Sequence, residues 1–167
     1  GREQELNTLL NIVEKLKLEQ GRTVFLSGEP GIGKTQLISY IINNHTNSDY
    51  NVLYGRCLFN NEGGFPYHPF VNAIKKNISY DENQFLNIIH KQASSAGKDI
   101  THIIPFIKGF INVSADYSSS LIHKEQLWDA VFLLLKIVAA DKPLIFILDD
   151  IQWADKASIG LFSFISR

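Results

Sequence analysis

Gly28-Glu29-Pro30-Gly31-Ile32-Gly33-Lys34-Thr35 is the stretch on which the fold of this chain turns. It fits G-x-x-x-x-G-K-[ST] and lies between an apolar extended run, Thr23-Val24-Phe25-Leu26, and an apolar helical run containing Leu37, Ile38, Ile41 and Ile42. That setting gives the letters physical meaning, because a strand enters, a tight turn forms and a helix leaves. Glycines without a Cβ let such a turn close around an anion, with successive backbone N–H groups pointing inward. The helix that starts there adds unpaired N–H groups and the positive end of its dipole. In this reading Lys34 reaches the β- and γ-phosphates of a nucleotide, and the Thr35 hydroxyl is a hard oxygen ligand for Mg²⁺. A Gly/Pro turn ahead of an ordinary helix is the alternative for the octet alone, and the flanking strand and helix weigh against it.

A phosphate-binding turn of this kind predicts a second element, an apolar strand ending in an acid. Leu144-Ile145-Phe146-Ile147-Leu148-Asp149-Asp150 answers to it. A continuous apolar run closed by Pro143 and by acids reads as a parallel strand buried on both faces. Asp149, at the carboxyl edge where ligands of open α/β sheets gather, is placed to hold Mg²⁺ through water. Asp150 is then the candidate to orient and polarise the attacking water. By itself the acidic pair reads as a solvated turn or a helix N-cap; beside the first motif, the nucleotide reading is preferred.

The 167 residues, 45% of them hydrophobic, suffice for one sizeable core. A formal net charge of -1 offers no electrostatic footprint for nucleic acid or for an anionic membrane. The apolar run over 131–140 is interrupted by Lys136 and is too short to span a bilayer, and the N-terminus lacks the layout of a signal peptide. Cys57 is the single cysteine, which excludes an internal disulfide framework and a cysteine zinc site. These features place the chain in the cytoplasm.

Taken in order, residues 3–19 read as an amphipathic helix with Leu6, Leu9, Leu10, Val13 and Leu16 on the stripe that packs on the core. The turn at Gly21 ends it, and the strand, glycine turn and helix to about residue 43 form the phosphate-binding unit. A second strand follows at 51–57, through a crossover that is right-handed and parallel in nearly all such units. Residues 58–141 change character and read as a helix-rich insertion. Pro69 suits a helix start, Asp81 a cap, Pro105 a kink or break in a helix over 100–111, and 114–120 a Ser-rich linker. The longest helix is expected over 121–140, with Leu127, Val131, Leu134, Leu135 and Val138 buried. Asp155 is a candidate N-cap for a final helix.

The five histidines never fall at i, i+3 or i, i+4, so they read as solvated or packing residues rather than metal ligands. Trp153 reads as a buried structural residue in preference to a stacking one. No G-x-S-x-G elbow surrounds any serine.

Several motifs in linked order carry a family resemblance. They are Gly1-Arg2-Glu3 with Glu5-Leu6, the glycine turn, Gly55-Arg56-Cys57, Pro66-Tyr67-His68-Pro69-Phe70, and Leu148-Asp149-Asp150-Ile151-Gln152-Trp153-Ala154-Asp155. Together they resemble the STAND-type AAA ATPase domain of large bacterial regulators of the maltose-activator and LuxR-like class, and of multidomain kinases and cyclases. The resemblance runs end to end. It implies an α/β P-loop NTPase fold, three-layer α/β/α around a parallel sheet, with 58–141 as an α-helical insertion. It further implies a site for ATP or ADP with Mg²⁺. Gly1 and Arg2 lie near the adenine, and Glu29, Pro30, Gly31, Ile32, Gly33, Lys34, Thr35 and Gln36 line the nucleotide. Thr35 and Asp149 hold the metal, and Lys34 and Asp150 carry the chemistry. Relatives place one more strand, drawn from later in the chain, between the P-loop strand and the acidic strand. The sheet is therefore expected to be incomplete, with the sensor residue, arginine finger and lid beyond Arg167. The implied role is a slow ATP-dependent switch whose partners are the nucleotide, C-terminal domains of a longer chain and, in the ATP form, other copies.

Asp150 stands where hydrolytic AAA relatives commonly carry glutamate, although STAND members often have the aspartate pair. The shorter side chain holds a water less well, which sets two readings side by side: an Mg²⁺-dependent ATPase module, and a nucleotide-held scaffold with little turnover. A small-molecule kinase is the third and weakest.

Overall fold

The computed structural model describes residues 2–18, 21–45, 49–59, 65–77, 82–95, 97, 99–112 and 124–167. Its sheet, among these residues, is a parallel pair: β1 (Asn51–Arg56) beside β2 (Leu144–Asp149). The register sets Asn51 against Leu144 and Arg56 against Asp149, so both strands end together at the carboxyl edge. Parallel neighbours need a long crossover, and the elements described between β1 and β2 are all helices. Side chains alternate across the sheet. Leu53 and Cys57 are buried on the face that meets the helices, with Leu144, Phe146 and Leu148 packed against that core. Tyr54, Arg56, Ile147 and Asp149 belong to the other face.

Helix α3 (His68–Asn77) lies directly on β1, and Phe70 stacks on Phe146 with ring centroids 5.0 Å apart. The approach requires glycine at position 55, where a Cβ would stand 2.1 Å from the Pro69 carbonyl oxygen. Gly55→Ala is expected to cost about 3 kcal/mol by forcing α3 off the sheet. A urea unfolding midpoint equal to that of the parent would contradict this packing.

Helices α4 (Glu82–Ser95), α5 (Ile104–Ile111) and α6 (Lys124–Val138) complete the core around Ile89, Ile107, Phe110, Val131 and Leu134. The expected stripe of α6 holds for Leu127, Val131, Leu134 and Leu135, while Val138 is half-buried. Pro105 breaks rather than kinks. A turn occupies 101–103 and α5 starts at Ile104 with the proline in its first turn, where a missing N–H costs nothing. The described residues between β1 and β2 are thus mostly helical, and most of the core lies among them. The Asp81 cap and the 114–120 linker lie outside the described residues. Asp155 caps α7 (Lys156–Ile165) as expected, its Oδ1 accepting from the Ser158 N–H at 2.9 Å.

Three expectations are corrected. Residues 23–26 join no sheet ladder among the described residues; Val24 is 45% and Phe25 70% exposed. β-propensity without a hydrogen-bonded neighbour does not make a strand. What touches the run instead is α7, through an edge-on contact of Phe25 with Phe162 at 5.8 Å. Second, every residue of β2 is half-buried rather than buried on both faces. Among the described residues, the helices between β1 and β2 pack on one face of this parallel pair, a mixed α/β arrangement. Third, α1 (Glu3–Leu16) has its stripe in the predicted phase, but no residue of it is buried. It runs along α2 (Lys34–His45), and the residues just before β1 hold its C-terminal end, the Tyr50 hydroxyl donating to the Val13 carbonyl at 3.2 Å and Lys17 pairing with Asp49 at 3.1 Å. Among the described residues no helix is long and apolar enough to cross a membrane.

Candidate functional site

The glycine turn leads straight into α2, whose first residue is Lys34. Gly31 and Gly33 have φ of 78° and 89°, which is why the turn needs glycine: an L side chain there costs roughly 1–2 kcal/mol. The Leu37 N–H donates to the Gly33 carbonyl at 3.0 Å, the first full helical bond, leaving the amides before it directed out of the helix end. Residues 28–32 are exposed and Gly33 and Lys34 half-buried, so the turn opens to solvent.

The Lys34 ammonium arches back over its own loop and donates to the Gly28 and Glu29 carbonyls at 2.8 and 3.0 Å. The Arg2 guanidinium donates to the Ile32 carbonyl, which brings the N-terminal motif onto the turn. Gly1 lies outside the described residues. Gln36 is exposed, and its Oε1 lies 3.5 Å from where a Cβ on Gly33 would stand.

From the far end of the chain β2 delivers Asp149 to the same place. The Thr35 hydroxyl donates to Asp149 Oδ2 at 3.3 Å across 114 positions of sequence. Tyr54, on β1, donates to that oxygen at 2.5 Å, while the Asp150 N–H donates to Oδ1 at 3.0 Å. Burial first, and the Asp149 carboxylate next, push the Tyr54 hydroxyl well above its ordinary range, so it stays a donor.

Asp150 leaves the strand in the left-handed region, φ 56° and ψ 41°, and a 3-10 turn over Ile151–Trp153 follows. This turns the Asp150 carboxylate toward β1. There Arg56 Nε meets its Oδ2 at 3.0 Å, and the Gln152 amide donates to Oδ1 at 3.2 Å. The hydrogen bond that Arg56 donates to Asp150 holds its guanidinium above its usual range.

Cys57 is buried just beyond, its thiol pushed up to about 11 by burial and by Asp155, Asp150 and Asp149, so it is no nucleophile. Trp153 departs from the expected burial: it is 45% exposed and meets Phe59 edge-on at 4.1 Å. Sequence reasoning missed Tyr54 and singled out Arg56 only within a motif. The period-2 pattern of β1 held the signal, since Leu53, Gly55 and Cys57 take the buried face and leave 54 and 56 on the face of Asp149.

Among the described residues no three His, Cys, Asp or Glu side chains gather as a metal cluster. The constellation is instead two hard oxygens, an ammonium, a guanidinium and a helix start, assembled around a solvent-facing turn.

Residues 1–167 match the family model described as AAA ATPase domain. The chain is also 23% identical over 177 residues to an uncharacterized protein of Rhizobium meliloti (strain 1021). That alignment takes in 100% of this chain and 17% of the relative, so the chain spans less than a fifth of the length of the protein it matches. No solved structure matches it.

Proposed function

The chain belongs to the AAA ATPase domain family, and from that premise we propose that residues 28–36 bind the phosphates of ATP or ADP in a P-loop NTPase fold, with 58–141 as its insertion. The module acts as a slow, Mg²⁺-dependent regulatory switch within a larger protein. The observation that carries the reading is the Thr35–Asp149 hydrogen bond at 3.3 Å, which joins two motifs that share no local sequence.

The donor set fits magnesium. Mg²⁺ takes one or two protein oxygens beside phosphate oxygens and waters, and Thr35 Oγ1 with Asp149 Oδ2 offers that number and kind. When bound, the ion would neutralise charge on the phosphates. The protein's own part is positional. Lys34 exchanges its two loop carbonyls for phosphate oxygens, and the amides at the start of α2 face the same anion. The bond from Arg2 to the Ile32 carbonyl supports a place for Arg2 beside the nucleotide.

Asp150 is the group to orient water, and its two oxygens are engaged by Arg56 and Gln152. A carboxylate that accepts from a guanidinium and an amide is a weaker base toward a water than one free of them. This supports slow turnover, and it favours the nucleotide-held switch over rapid hydrolysis or transfer to a hydroxyl acceptor. Steady phosphate release from ATP by the full chain tests the reading. Arg56→Ala is expected to raise that rate roughly tenfold by freeing Asp150. A rate that falls instead would mean that Arg56 serves the transition state rather than restraining the carboxylate.

A further inference from the structure

We propose that Tyr54 is a positioning residue for the metal carboxylate, its hydroxyl fixing Asp149 in the rotamer that faces Thr35. This rests on the nucleotide-site reading and adds to it a residue outside both motifs. A carboxylate offers about four acceptor positions on its two oxygens. Three donors reach Asp149: Thr35 at 3.3 Å and Tyr54 at 2.5 Å on Oδ2, and the Asp150 N–H at 3.0 Å on Oδ1. The bond from Thr35 is long, and the backbone N–H grips one oxygen only. Because the terminal torsion of aspartate is broad and roughly two-fold, those two contacts leave the carboxylate plane loosely held. The short bond from Tyr54 closes that freedom.

The fold makes Tyr54 suited to the task. It sits in mid-strand on β1, paired in register with Ile147, and its ring reaches two residues along β2 to Asp149. The backbone beneath it is held by the β1–β2 ladder and by α3 packed against Gly55. With only two side-chain torsions, the ring places its hydroxyl at little entropic cost. Such outer partners of metal ligands typically change metal affinity by about 10- to 100-fold when removed.

The test separates the two layers. Binding of N-methylanthraniloyl-ADP to the full chain is measured in EDTA and then across a MgCl₂ titration, for the parent and for Tyr54→Phe, which keeps the ring. Metal-free affinity is expected to agree within about twofold, while the Mg²⁺ concentration at half-effect rises roughly tenfold in the variant. Mn²⁺ paramagnetic resonance in the presence of ADP reads the same loss directly, without turnover. Equal Mg²⁺ midpoints with intact nucleotide binding overturn the role of Tyr54 and leave the nucleotide site standing. Absence of nucleotide binding in the parent overturns the site itself. A parallel fall in melting temperature, metal-free affinity and Mg²⁺ response would make Tyr54 a packing residue, and the proposal fails.

Discussion

Lys34→Ala is expected to abolish nucleotide binding, with the affinity of labelled ATP falling by about 100-fold or more. The reasoning is one of partner exchange. In the structure the ammonium donates to two carbonyls of its own loop, at 2.8 and 3.0 Å, so its cost of desolvation is already met and its position already set. A triphosphate replaces two neutral acceptors by charged ones. Charge-assisted bonds contribute about 1.5–3 kcal/mol each, and two of them lost correspond to roughly 3–6 kcal/mol, which is two decades or more. Alanine also removes the strap across residues 28 and 29, so circular dichroism must show helix content unchanged. Lys34→Met, which keeps the aliphatic stem, is expected to bind as poorly as alanine. Parent-like affinity in a folded Lys34→Met variant would remove the lysine from the site.

Asp150→Asn should separate binding from turnover. Asparagine is isosteric, still accepts from Arg56 at its carbonyl oxygen and keeps the left-handed conformation that residue 150 adopts at φ 56°. It cannot take a proton from water. Phosphate release is therefore expected to drop by roughly 100-fold or more, with nucleotide affinity unchanged. Unaltered release in a variant that still binds ATP would assign the water to another group. The paired result with Arg56→Ala is informative in its own right: if Arg56 restrains Asp150, its removal accelerates the parent and does nothing in the Asp150→Asn background.

Legibility varied along the chain for physical reasons. Elements whose signal is local were readable: the turn at Gly31 and Gly33, the Asp155 cap, the helical phase of α6 and the apolar run of β2. The stripe of α1 was right in phase and wrong in depth, since periodicity tells which side faces inward but not what it faces. Residues 23–26 mark the sharper limit. Their β-branched and aromatic content announces a strand, yet a strand exists only through a neighbour's backbone, and no described strand lies against them.

By itself, then, the sequence determined where the glycine turn and the acidic strand lie and that the described residues between β1 and β2 are mostly helical. Short-range sterics and apolar spacing decide those matters within a dozen residues. Only the tertiary structure decided that the Thr35 hydroxyl meets Asp149, that Tyr54 shares that carboxylate and that Arg56 and Gln152 occupy Asp150. Apart from the short step from Gln152 to Asp150, those contacts join residues far apart in the chain. They depend on the parallel register of β1 and β2 and on the turn after Asp149, which no local pattern of residues specifies.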